Sequence, residues 1–116
     1  MKLTEEQVKK IIKKVYVDLN LPYFEIYPIN CGFTKKGHKM NNFDFDIWTG
    51  SYDYRDPDAV GDEWMRMGSD YIISIDDEKG EAFAYHYYAG HIRIKLNEEG
   101  NYEVIGKLFE RKEKKT

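Results

Sequence analysis

The chain has 116 residues, of which 41% are hydrophobic and 34% charged, with a formal net charge of −3. That length suits one domain, residues 1–116, with a core of its own, and the acidic balance argues against a nucleic-acid surface. A single cysteine, Cys31, excludes an internal disulfide and a cysteine-based zinc site. No stretch has the apolar run of a signal peptide or a membrane span, so a cytoplasmic protein without membrane contact is expected.

Residues 4–20 carry the clearest pattern. Val8, Ile11, Ile12, Val15 and Leu19 recur at helical spacing, and Lys9, Lys10, Lys13 and Lys14 take the other side. Thr4 and Gln7 spell a capping box, Glu5 and Glu6 suit the positive end of the helix dipole, and Pro22 stops the run. Everything beyond Pro22 reads as strand and turn. The expected strands are 23–30, 43–54, 70–77, 81–88, 91–97 and 101–109, with a frayed tail at 111–116. "CGFTKKGHKMNN" reads as a polar loop. In "FDFDIW", Phe43, Phe45 and Ile47 alternate with Asp44, Asp46 and Trp48 along one strand, and Gly50 suggests a bulge.

Turn chemistry predicts a register for the last four strands. "DEKGE" and "NEEGN" suit three-residue hairpin loops ending on a left-handed glycine, closing Asp77 on Glu81 and Asn97 on Asn101. "YAGH" suits a two-residue loop closing Tyr88 on His91. Counting away from these turns pairs Ile75 with Phe83, Ile73 with Tyr85, Tyr85 with Ile94, and Ile94 with Val104. Phe83, Tyr85, Tyr87, Ile92, Ile94 and Leu96 then share the core face beneath the helix. His86, Tyr88, His91, Arg93 and Lys95 share the opposite face, with His86 in one row beside Arg93 and His91 in another beside Tyr88. A one-residue slip would mix the two faces.

The fold class expected is α+β: an N-terminal amphipathic helix packed on a curved antiparallel sheet of about six strands. Two regions are candidates for binding a protein partner. The outward face offers His86, Tyr88, His91 and Arg93 among isoleucines, a mixture typical of interface cores. The segment "DYRDPDAVGDEW" offers Asp53, Tyr54, Asp56, Asp58, Asp62, Glu63 and Trp64, carboxylates suited to steering a basic partner. His86 and His91, placed in different rows, do not make a metal site, which wants three or four ligands. No nucleophile or phosphate-binding motif stands out. Neither a catalytic residue nor a cofactor is therefore expected.

At "PYFEI", "FDFDIWTGSYDY" and "DYIISIDDEKGEAF" the chain resembles small NTF2-fold, cystatin-like immunity proteins of bacterial polymorphic-toxin systems. The likeness spans residues 4 to 85, and "MGSD" carries one glycine where that family has a pair. The resemblance implies a cytoplasmic inhibitor that binds a cognate toxin, with no catalytic residues to carry over. A phage-encoded inhibitor of a host defence enzyme shares the profile. So does a small-ligand or enzymatic NTF2-like domain, with a pocket between helix and sheet.

Overall fold

The structure is a computed structural model that describes residues 2–23, 28–52, 71–87 and 90–107. One helix, α1 (Glu5–Asp18), lies on one face of a six-stranded antiparallel sheet: β1 (Ile29–Thr34), β2 (Ile47–Tyr52), β3 (Ile72–Asp76), β4 (Glu81–Tyr87), β5 (Gly90–Leu96) and β6 (Tyr102–Lys107). Each strand pairs with the next in sequence, so β1 and β6 are the two edges and the sheet is open. Among the described residues no helix is long and apolar enough to cross a membrane.

The capping box is formed: the Gln7 amide N–H donates to the Thr4 hydroxyl at 3.1 Å, and the Thr4 amide N–H donates to the Gln7 side chain at 2.9 Å. The helix stops before Pro22. Asn20 takes φ 59, the Leu21 N–H reaches the Tyr16 carbonyl at 2.8 Å, and the Asn20 N–H reaches that of Val17 at 3.2 Å. This is a Schellman closure with asparagine in the left-handed position. Val8, Ile12, Val15 and Tyr16 form the buried stripe, with Ile11 and Leu19 packed at its margin. Tyr16, not part of the expected stripe, is buried with it. Its ring meets Tyr23, Tyr52 and Tyr71 edge-on, and its hydroxyl donates to the Tyr71 carbonyl at 2.6 Å.

Among the described residues, the first two strands begin at Ile29 and Ile47, against the expected 23–30 and 43–54, and residues 24–27 and 53–54 lie outside the described residues. "CGFT" is strand, not loop: Ile29, Cys31 and Phe33 turn toward the helix while Gly32 falls between them. Residues 43–45 are bent, and β2 starts at Ile47. Gly50 marks no bulge, since its pairing with Cys31 and Ile73 is regular. It is instead where Ile12 of α1 packs over bare backbone. A Cβ on Gly50 would stand 2.6 Å from both the Asn30 carbonyl oxygen and Ile12 Cδ1, and 2.8 Å from the Cys31 Cβ.

The register between β3 and β4 shows a second difference. The hairpin closes on Asp76 and Glu81, not Asp77 and Glu81, with the Gly80 N–H donating to the Asp76 carbonyl at 2.8 Å. Ile75 therefore faces Ala82, not Phe83. Beyond a bulge between Ser74 and Ile75, the expected pairing of Ile73 with Tyr85 returns. The extra residue is Phe83, which leaves the core face for the opposite one. A second bulge lets Arg93 face Gly106 while Ile94 still faces Val104, making Ile105 the extra residue on β6. The "NEEGN" hairpin closes on Asn97 and Asn101 as its turn residues demand, with Gly100 at φ 86.

Asp77, outside the ladder, is 2% exposed. Its carboxylate accepts the Lys2 N–H at 2.7 Å, the Leu3 N–H at 3.0 Å and the Trp48 indole N–H at 2.9 Å. Burial pushes this carboxyl upward, but the Leu3, Lys2 and Trp48 donors outweigh it and hold it below its ordinary 3.8. At the other end of the helix, Asp18 accepts the Tyr102 N–H at 2.9 Å, and the Tyr102 hydroxyl accepts the Ala82 N–H at 3.1 Å beside the β4 bulge.

Three substitutions test these contacts. Gly50→Ala forces apart the backbone, Ile12 and Cys31, and should cost about 2–3 kcal/mol in chemical denaturation. Gly32→Ala, with nothing within 4 Å of the new methyl, should leave stability unchanged or raise it by up to about 1 kcal/mol. Asp77→Asn places an amide against three converging N–H donors and should cost about 2–3 kcal/mol. Because the folded carboxyl ionises below 3.8, its contribution is fully present above that pH and is lost as pH falls through the folded value. In acid titration the Asp77→Asn protein should lose less stability than wild type.

Candidate functional site

Among the described residues, the face of the sheet turned away from α1 is only partly covered. Residues 35–46 fold back over the β1–β4 part of it, tied down by Asn41. The Asn41 amide donates to the Thr34 carbonyl at 3.2 Å and the Phe45 carbonyl at 2.9 Å, and its oxygen accepts the Phe43 N–H at 2.8 Å. Met40 N–H donates to His38 Nδ1 at 3.0 Å, and Lys36 N–H donates to the Asp46 carboxylate at 2.8 Å. The loop lays Phe43 and Phe45 on the sheet, where Phe83 meets them at 5.1 and 5.5 Å between ring centroids. The β4 bulge thus delivers the third ring of an aromatic ridge.

Beside the ridge lies a hollow of about 270 Å³. Phe43, Phe83, Ile47, Ile72 and Ala84 supply its apolar wall, and Thr34, Thr49 and Ser74 supply hydroxyls. His86 and His91 close one end. On the other side of the ridge, Arg93, Lys95 and Ile105 border a second hollow of about 390 Å³, with Asp76, Lys79 and Glu81 also in its lining. Ile72, Ile105 and Met40 are exposed along the same surface, Met40 by 75%.

His86 and His91 are directly opposite each other across β4 and β5, with ring centroids 4.2 Å apart and planes at 37°. This corrects the expectation of separate rows. The β4–β5 hairpin closes on Tyr87 and Gly90, one position earlier than Tyr88 and His91, and Gly90 takes φ 143. Each residue of β4 therefore meets a partner two positions nearer the turn: Tyr85 faces Ile92, not Ile94, and Arg93 faces Ala84, not His86. A two-residue shift keeps every side chain on its expected face. His86, His91, Arg93 and Lys95 all lie on the face away from α1. Burial first, and then the His86 charge, hold His91 below its ordinary 6.5. His86 Nδ1 is buried with no hydrogen-bond partner among the described residues.

The candidate residues Asp53, Tyr54, Asp56, Asp58, Asp62, Glu63, Trp64 and Tyr88 lie outside the described residues. Among the described residues no group of three or more His, Cys, Asp or Glu side chains is placed to hold a metal ion. Cys31 packs on the helix side, where burial and then the Glu5 carboxylate push its thiol above the ordinary 9.0; this disfavours the reactive thiolate. Phe43, Phe45, Phe83 and Asn41 are the site-forming residues that the sequence reading missed. The doubled asparagine before two spaced phenylalanines is the one local signal of a folded-back loop. No family model matches this chain, and comparison with curated proteins and with solved structures finds no match.

The histidine pair should make stability pH-dependent near neutrality. His91 ionises below 6.5 when folded, so its contribution is complete above that pH and is lost as pH falls through the folded value. The urea midpoint should drop between pH 7.5 and 5.5, and His91→Phe should remove part of that drop. An unchanged midpoint across this range would contradict the pairing.

Proposed function

We propose that this chain is a non-catalytic binding domain that engages a protein partner through the sheet face opposite α1. The partner we favour is a toxin enzyme that the domain neutralises by covering it. One observation carries the reading: with the helix burying one face, the other presents exposed Ile72 and Ile105 and an aromatic ridge, beside the Arg93 and Lys95 side chains. Apolar and aromatic anchors beside arginine are the composition of interface cores. The toxin assignment, and with it a cystatin-like or NTF2-like family and a cytoplasmic setting, is supported by the resemblance at "PYFEI", "FDFDIWTGSYDY" and "DYIISIDDEKGEAF". An N-terminal helix on a six-stranded antiparallel sheet is compatible with that resemblance.

Affinity capture with the tagged full chain from its native host tests this. A stoichiometric partner should be retained by wild type and by Lys10→Glu, which changes the outer helix face. Arg93→Glu should weaken retention about tenfold or more while leaving the melting curve intact. Purified partner should lose its enzymatic activity on adding the chain. Equal retention by both variants, or a partner that stays active, would reject the reading.

A further inference from the structure

The second hollow, across the ridge from the histidines, carries a charge pattern that the chain as a whole does not. We propose that it receives an acidic segment of the protein partner: carboxylates for Lys79, Arg93 and Lys95, flanking one apolar side chain that lies against Phe83 and Ile105. This rests on the protein-partner reading and adds the chemistry of what is bound.

The cations are gathered and left without counter-ions. The chain has a net charge of −3, yet Lys79, Arg93 and Lys95 all line this one hollow. All three are exposed, and none makes an ion pair among the described residues. The ladders show why. Arg93 faces Ala84 on β4 and Gly106 on β6, which offer neither charge nor length. Lys95 faces Glu103, but the Glu103 carboxylate accepts from the Asn97 amide at 3.4 Å. Lys79 sits in the β3–β4 turn beside Asp76. That aspartate is 8% exposed, and its Oδ1 accepts the Glu78 and Lys79 N–H groups at 2.9 and 3.1 Å. Glu81 is the one other carboxylate among the described lining residues. Three cations against one uncommitted carboxylate leave a local positive excess, which attracts an anionic surface and repels a cationic one.

The apolar part lies in the same lining. Phe43, Phe45 and Phe83 bring the ridge to the hollow, and Ile105, the extra residue of the β6 bulge, is 43% exposed. A volume of about 390 Å³ equals that of about thirteen liquid waters, room for one large side chain and part of its neighbours. Because the cations and Ile105 are exposed, covering them takes a surface that extends past the hollow. Arginine beside aromatic and aliphatic anchors is the chemistry of such surfaces. A nucleic acid would bring a dense line of phosphates to a chain that is already net negative.

Four probes test this by NMR titration of the full chain at low salt. They are acetyl-Glu-Glu-Phe-Glu-Glu-amide, the same peptide with Ser in place of Phe, the same with Lys in place of Glu, and an oligo-thymidine of equal charge to the first. The acidic Phe peptide should bind tightest and move the Ile105 methyl signals. The Ser peptide should bind about tenfold more weakly, the worth of part-burying one ring. Added salt should weaken binding. Lys79→Gln, Arg93→Gln and Lys95→Gln, all at exposed positions, should each weaken the Phe peptide about two- to fivefold. Glu81→Gln should tighten it by a similar factor, and Lys10→Gln on the outer helix face should change nothing. No shift with the acidic Phe peptide, tighter binding of the Lys peptide or the oligo-thymidine, weaker binding by Glu81→Gln, or shifts mapping away from Ile105 would each overturn the proposal. The titration uses no native partner, so its failure beside a successful capture strikes the acidic segment alone.

Discussion

The Asp77 carboxylate is the contact on which the rest of the architecture leans. It accepts two backbone N–H groups just ahead of α1 and the indole N–H of Trp48 on β2, all while nearly sealed from water. A buried carboxylate needs this many donors to remain ionised. To serve them it must leave the β3–β4 ladder, so the hairpin closes one residue earlier, on Asp76. That change alters the pairing by an odd number, which would turn the whole of β4 inside out. The bulge at Phe83 absorbs the odd residue. Tyr85 returns to the helix side, and Phe83 stays behind on the far face to meet Phe43 and Phe45. An anchor for the helix on one side of the sheet thus gives the other side its ridge and its hollow.

The helix needs little from the sheet to form and much from it to stay. Its caps are local: Thr4 with Gln7 at the start, Asn20 in the left-handed position at the end. Its hold on the sheet is close contact, with Ile12 over the bare backbone of Gly50 and Tyr16 wedged among three tyrosines. A Gly in mid-strand is unfavourable in isolation. Here it lets a helix approach closer than any side chain would permit. Asp18 then reaches the Tyr102 amide on β6, while Asp77 holds the opposite end, so α1 is pinned at both ends.

How much of this could be read beforehand depends on the range of the forces involved. The helix, its start, and the "NEEGN" hairpin depend on residues within five positions of one another, and they read directly from the chain. Face assignment in β5 survived a wrong turn at Tyr88 and His91 because the error was even. Phe83 did not survive, because its error was odd and was caused by an aspartate answering donors some seventy-five residues away in sequence. "CGFT" was hidden for a similar reason. Its glycine reads as loop punctuation, but the burial of Cys31 and Phe33 against α1 decides the matter. The spaced phenylalanines of "FDFD" have strand periodicity, yet Asn41 captures the backbone on either side and lays the segment over the sheet as a loop.

The histidine pair shows what an even error conceals. With His86 and His91 in different rows, each is an ordinary polar residue on an exposed face. Set opposite each other at 4.2 Å, they become one unit. Burial, and then the His86 charge, favour the neutral form of His91 at the margin of an apolar hollow. The charged side chains gather across the ridge, where Arg93, Lys95 and Lys79 stand with Asp76 and Glu81. The far face therefore divides by chemistry as well as by shape: a recess lined by no Asp, Glu, Lys or Arg under the Asn41-tied loop, and a margin of mixed charge across the ridge.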